Sequence, residues 1–265
     1  MNNMSGVMTR LLMSLLRCTL GRLPRVRALV LKTCVLLEKE RDTEASLRWL
    51  FEAHRFIEEG IDQQAVAWGR GVHIKHELMT GIHTFFYDRI PLGSSVLDVG
   101  CGVGVVAHAI AAQVQNVRVV GMDLNADHIR FARERFTLTN LRFLEGDVTR
   151  DLPHEVFDTI VLSSVLEHIV NRVALLLTLV AKYRPARILI RVPTCERHYH
   201  VLMKRRLGLF PYVDADHKTE YSLATFFEEM AAASLTVATV ETRWGDIWAT
   251  CRPFAVESGV GALPA

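Results

Sequence analysis

Val96-Leu97-Asp98-Val99-Gly100-Cys101-Gly102-Val103-Gly104 decides the reading of this chain. An apolar run over 95–97 ends in a carboxylate, and three glycines at alternate positions precede an alanine-rich segment, 105–114, that reads as a helix. The pattern predicts a strand, a tight turn and a helix start. Glycine lets such a turn fold sharply and lets a ligand approach the backbone without meeting a Cβ, while the opening helix offers unpaired N–H groups. The turn is therefore expected to be a binding edge. A dinucleotide fingerprint would read G-x-G-x-x-G, whereas Val105 stands where its third glycine would fall. A carboxylate at the strand end also repels a pyrophosphate and suits a ligand with a cationic amino group.

Downstream, strand and helix alternate regularly, which predicts an α/β fold with a doubly wound, mostly parallel sheet. Strands are expected over 117–122, 141–144, 157–162 and 186–192. Two more, 235–241 and 247–251, flank Trp244-Gly245-Asp246 at hairpin spacing. Asn125 is placed to cap a helix over 126–136, and Ser222 one that runs to 233. Asp123, Glu145-Gly146-Asp147-Val148 and Ser163-Ser164 each close a strand, so their polar groups converge on the carboxyl edge where open α/β sheets bind ligands.

The run from Asp98 to Gly104 resembles D/E-x-G-x-G-x-G, the first motif of the class I S-adenosylmethionine-dependent methyltransferases, of the small-molecule type 11/12 kind. The resemblance covers residues 65–254. It implies a Rossmann-like, seven-stranded sheet with an antiparallel last strand, and S-adenosyl-L-methionine as cofactor. It places Asp98, Gly100, Cys101, Gly102 and Gly104 in the cofactor turn, Asp123 on the ribose hydroxyls, and Asp147 and Val148 at the adenine. Leu124 and Ser163 complete that set.

Leu162-Ser163-Ser164-Val165-Leu166-Glu167-His168 resembles the fourth motif of these enzymes, whose Glu and His face the cleft between cofactor and acceptor. Methyl transfer is an in-line displacement at a sulfonium, so acceptor and methyl must be aligned, and a hydroxyl acceptor must lose a proton. His168 is the candidate base and Glu167 its orienting partner; a purely positional catalysis, with His168 packing the helix start, stays open. In a rival reading the same residues bind metal. Some quinol-precursor and RNA 2′-O-methyltransferases carry E-x-x-E-H around a divalent ion, but here Ser164 replaces the first glutamate. No metal is expected unless His198 or His200 completes the site.

Acceptor residues are sought in two segments. The glycine-broken, basic loop 68–76 contributes His73 and Lys75, and the long connection 194–221 is expected to form a lid carrying Arg197, His217 and Tyr221. His217 is also a candidate for acid-base help. Lys204-Arg205-Arg206 fits either an acidic group of the acceptor or a solvated face. The segments G-V-H-I-K-H and W-G-D-I-W resemble bacterial methyltransferases associated with saccharide or cell-surface glycan biosynthesis, which implies a small or lipid-linked acceptor.

At 265 residues, 50% hydrophobic and 23% charged, the chain can bury one sizeable core, and a net charge of +2 gives no case for nucleic-acid binding. The five cysteines, at 18, 34, 101, 195 and 251, form no CxxC pair; neither a disulfide framework nor structural zinc is indicated, and a reducing cytoplasm fits. Residues 1–37 are basic and amphipathic, with no acid before Glu38, and are expected to form two helices broken near Gly21-Arg22-Leu23-Pro24. They read as neither a secretory signal nor a membrane span. Contact with the inner face of an anionic membrane, and packing on the domain or on a second copy in a homodimer, are both open. Residues 38–60 turn acidic and helical.

The expected organisation is a helical extension over 1–64, a methyltransferase domain over 65–254 and a loose tail over 255–265. A nicotinamide oxidoreductase is disfavoured by the glycine spacing and Asp98. A non-catalytic protein that keeps the cofactor pocket is a further alternative.

Overall fold

The computed structural model describes residues 23–79 and 81–254. Contacts divide the chain into two units, one of the residues up to Gly60 with Arg206–Leu209, the other of Ile61–Arg205 with the chain from Phe210 onward. In the first, Pro24 opens helix α1 (Pro24–Leu37), a position where its missing N–H costs nothing. The helix expected before this break lies outside the described residues. A 3-10 turn, Glu38–Glu40, follows, and Arg41 pairs with Glu38 at 3.3 Å. Helix α2 (Thr43–Trp68) outruns the acidic pattern that announced it and passes through residue 64, where a domain boundary was expected. Among the described residues, no helix is long and apolar enough to cross a membrane.

The second unit begins with the short helices α3 (Lys75–Leu78) and α4 (Thr84–Tyr87). Strands and helices then alternate through β1 (Ser95–Val99), α5 (Val105–Gln113), β2 (Arg118–Asp123), α6 (Ala126–Arg135), β3 (Leu141–Glu145), β4 (Thr159–Ser163), α7 (Arg172–Tyr183) and β5 (Arg187–Pro193). After α8 (His200–Arg206) and α9 (Leu223–Ala232), β6 (Leu235–Arg243) and β7 (Asp246–Pro253) close the chain. The strands form one sheet in the order β3-β2-β1-β4-β5-β7-β6. The first five are parallel, and β7 inserts antiparallel between β5 and β6. Trp244 and Gly245, at φ 56° and 78°, make the tight turn that allows this.

Every residue of β1 is buried, as a strand covered by helices on both faces must be. Its alternate residues serve two cores. Leu97 and Val99 join Ile160, Leu162, Leu175, Leu179 and Phe226 on one face, while Val96 joins Val161, Ile110, Phe85, Phe86 and Trp248 on the other. The helix caps fall where the sequence puts them: Asn125 accepts from the Asp127 and His128 N–H groups, and Ser222 forms a capping box with Thr225. Strand order reverses between β1 and β4, so the carboxyl ends of these two strands open the cleft.

Candidate functional site

The turn after β1 does what its glycines allow, but they do it for different reasons. Gly100, Gly102 and Gly104 all have positive φ, at 69°, 54° and 82°. A Cβ at Gly100 would lie 2.6 Å from Val165 Cγ2, and one at Gly104 would lie 2.6 Å from Phe143 Cζ, so these two glycines serve packing within the protein. At Gly102 nothing lies within 4 Å of the Cβ position. Of the three glycines it alone offers open space to a ligand, and it lines a cleft of ≈ 330 Å³ together with Asp98, Cys101, Val103, Ser163 and Ser164.

Asp98 sits at the floor of this cleft, 1% exposed, and its Oδ2 has no hydrogen-bond partner. Burial, reinforced by the neighbouring Asp123, pushes its carboxyl up to about 8 against the Ala107 backbone hydrogen bond. A buried, unpartnered acid beside a second acid is a site for a cationic group. Asp123 ends β2 and braces the turn: Oδ2 accepts the Gly102 N–H at 2.8 Å and Oδ1 the Asn125 N–H at 2.9 Å. The Cys101 thiol is pushed up by burial, which disfavours the thiolate.

The rest of the expected cofactor set is more dispersed. Leu124 is 69% exposed and does not line the cleft. Asp147 lies in a separate hollow with His168, and its carboxylate is already taken by the Thr149 N–H and hydroxyl and by Arg150. Those hydrogen bonds hold Asp147 below the usual carboxylate range. Val148 is buried in the core.

The same cleft is lined by His73, Lys75 and His76, with Arg191 from β5. His73 meets Asp62 at 3.3 Å. His76 stacks on His83 and shares a 3.2 Å ring-nitrogen hydrogen bond with it; burial and that neighbour push His76 down to about 3, so it is neutral. Burial, then Arg191, lowers the Lys75 ammonium. Arg191 is 6% exposed, and its Nε and Nη2 both reach Asp246 Oδ2, at 2.8 and 2.6 Å. Burial raises Asp246, and Arg191 opposes that shift.

Glu167, His168 and His217 come together, their ligand atoms all within 4.8 Å of one another. Glu167 is 1% exposed with Oε2 unpartnered, and burial pushes it up to about 7. The Glu167 carbonyl accepts the Lys218 N–H at 2.7 Å, which ties the 214–220 loop to this turn. His217 Nδ1 meets Glu220 Oε1 at 3.1 Å, and Arg197 pairs with Glu220 Oε2 at 2.6 Å. His168 Nδ1 lies 3.3 Å from Asp216.

Two expected acceptor contacts are thereby corrected. Tyr221 is 2% exposed in the core, donates its hydroxyl to Glu229 at 2.6 Å and is joined to Thr194 by a backbone bridge. Arg197 is spent on Glu220 and on the Thr194 carbonyl, so it steadies the His217 loop and does not line the cleft. Among the described residues it is His217, and not His198 or His200, that joins Glu167 and His168 in such a group. Sequence reasoning missed Arg191 and Asp246. The signal was there: an arginine inside Ile188-Leu189-Ile190-Arg191-Val192, a strand buried on both faces, needs a buried acid.

Residues 96–185 match the family model of the methyltransferase domain. An uncharacterized methyltransferase of Mycobacterium bovis is 40% identical over 82 residues, which are 30% of this chain and 41% of that protein. A fatty-acid O-methyltransferase of Mycolicibacterium smegmatis is 36% identical over 116 residues, 40% of this chain and 42% of that one. The chain thus spans about two fifths of the length of these curated relatives. Magnesium protoporphyrin IX methyltransferase from Synechocystis, solved with bound S-adenosylhomocysteine, superposes with a TM-score of 0.54 over 69% of this chain and 85% of that one, at 17% identity, a likeness of fold. Residues 96–185 are a methyltransferase domain of the class I, S-adenosylmethionine-dependent kind, set in the seven-stranded sheet of that class.

Proposed function

We propose that this protein transfers a methyl group from S-adenosyl-L-methionine to a small or lipid-linked acceptor. The observation that carries the reading is the buried Asp98 carboxyl, its Oδ2 unpartnered, beside Asp123 and in one cleft with the open backbone at Gly102. These residues fit the cofactor: Asp98 takes the cationic amino group, the turn takes the tail and Asp123 the ribose hydroxyls. The bound cofactor supplies a sulfonium methyl. The protein's own part is to orient the acceptor and exclude water. The fatty-acid O-methyltransferase among the relatives supports a lipid-type acceptor over a saccharide.

Calorimetric titration with S-adenosylhomocysteine tests this. Asp98→Ala and Asp123→Ala each lose about 1–3 kcal/mol of affinity, the worth of a hydrogen bond to a charged group. Below about pH 8 Asp98 is protonated in the free protein. An ammonium beside it favours the carboxylate, so binding at pH 7 releases a proton and affinity rises as the pH approaches 8. Titration in buffers of different ionisation enthalpy reads that proton directly. A wild-type protein that is folded yet binds no S-adenosylhomocysteine overturns the reading.

A second reading is supported by one observation, the convergence of Glu167, His168 and His217. Two imidazoles and a carboxylate suit a divalent transition metal, and Glu220 on His217 Nδ1 leaves Nε2 as the ligating atom. A metal there would polarise an acceptor oxygen, as in a metal-assisted O-methyltransferase. Zn²⁺ and Mn²⁺ titration of wild type and His217→Ala, with activity before and after chelation, decides between the two.

A further inference from the structure

The cleft's charge names the acceptor's chemistry, given the methyltransferase reading on which this inference rests. Lys75 and Arg191 line it together with the glycine turn. Asp246 balances one of the two cations, and does so through a single oxygen that takes both Nε and Nη2 of Arg191. Among the described residues neither Arg191 Nη1 nor the Lys75 ammonium makes a hydrogen bond or ion pair, and the Arg191 guanidinium lies 5.0 Å over the Trp248 ring. Asp62 is engaged by His73 at 3.3 Å. The two cations thus outnumber the acid paired with them by one, and His73 and His76 line the same cleft beside them.

We propose that Lys75 and Arg191 form an anion subsite that holds the carboxylate of the acceptor at the transferred methyl, so that the reaction is carboxylate O-methylation. The carboxylate arrives ionised, which removes the need for a base, and neither Glu167 nor His168 lines the cleft. An oxygen lone pair forms the new O–C bond to the methyl carbon. The C–S bond breaks with its electron pair going to sulfur, so the sulfonium becomes a neutral thioether and no proton moves. The ester product is neutral. It loses its attraction to the two cations, and release follows from the same charges that bound the substrate.

The test supplies S-adenosylmethionine labelled in the methyl group with decanoate, benzoate or glucuronate, and in parallel with 1-decanol, benzyl alcohol and decyl phosphate. The expected product is a methyl ester of at least one of the three acids, recognised because alkali releases its label as methanol. Lys75→Gln lowers kcat/KM for that acid by about tenfold to a hundredfold, and Lys75→Arg restores most of it, since charge and not proton transfer is what the position supplies. S-adenosylhomocysteine affinity of Lys75→Gln stays near that of wild type. Label on an alcohol or phosphate but on no acid, no transfer to any acid by a protein that binds S-adenosylhomocysteine, or a Lys75→Gln variant as active as wild type overturns the inference and leaves the methyltransferase reading standing. Failure of wild type to bind S-adenosylhomocysteine removes both.

Discussion

The two sides of the cleft are built in opposite ways. The glycine-turn side comes from one continuous stretch, Asp98 to Gly104, braced by Asp123 at the end of the adjacent strand. The charged lining draws Lys75 and Arg191 from two distant segments, and Asp246, which holds Arg191, from a third. The first is held by backbone geometry: positive φ at three glycines, and packing that tolerates no Cβ at two of them. The second is held by buried charge. A backbone device works with whatever side chains surround it, whereas a buried cation stands only while its particular partner is present.

The sharpest way to break this contrast is to remove one buried charge. Arg191→Ala leaves Asp246, 8% exposed, without its partner and costs about 3–5 kcal/mol of stability in chemical denaturation, while Arg191→Met with Asp246→Leu recovers most of that. Equal stability of Arg191→Ala and wild type would show that the pair is not what holds the acceptor side. Next in size, Gly104→Ala forces a Cβ against the Phe143 ring and Ala132 and costs about 1–3 kcal/mol. Gly102→Ala meets open space, so only its backbone strain counts, about 1 kcal/mol, while affinity for S-adenosylhomocysteine falls further than stability does. If the two alanines behaved alike, the division of the glycines between packing and ligand would be wrong. The smallest effect belongs to Tyr221→Phe, which loses one hydrogen bond to Glu229 and about 1 kcal/mol, with acceptor KM unchanged. A raised KM would return Tyr221 to the acceptor contacts.

Much of this molecule is legible before any coordinate is known, and the pattern of success is physical. Strand and helix positions follow from apolar periodicity, and the caps at Asn125 and Ser222 from local hydrogen bonding, so both fall within a few residues of expectation. Tyr221 misled because a tyrosine in a polar loop reads as a contact residue; only the bridge between Thr194 and Tyr221 shows that it turns inward. Asp147 stands at the expected strand end, where Thr149 and Arg150, two and three residues on, bind its carboxylate locally, as Gly102 and Asn125 bind that of Asp123. His217 was singled out, yet its company was not, since the loop that carries it is anchored to Glu167 by backbone hydrogen bonds no pattern announces.

By itself the sequence determined the sheet, its parallel core, the antiparallel hairpin at its end and the turn that offers Asp98 and Gly102 to a ligand. All of these depend on interactions between residues near in the chain or on a periodicity that repeats along it. Only the tertiary structure decided which charges are buried together, because desolvation and Coulomb energy depend on distance in space and not on order in the chain. Arg191 finds Asp246 because β7 inserts beside β5, and that single strand insertion sets the charge of the acceptor side of the cleft.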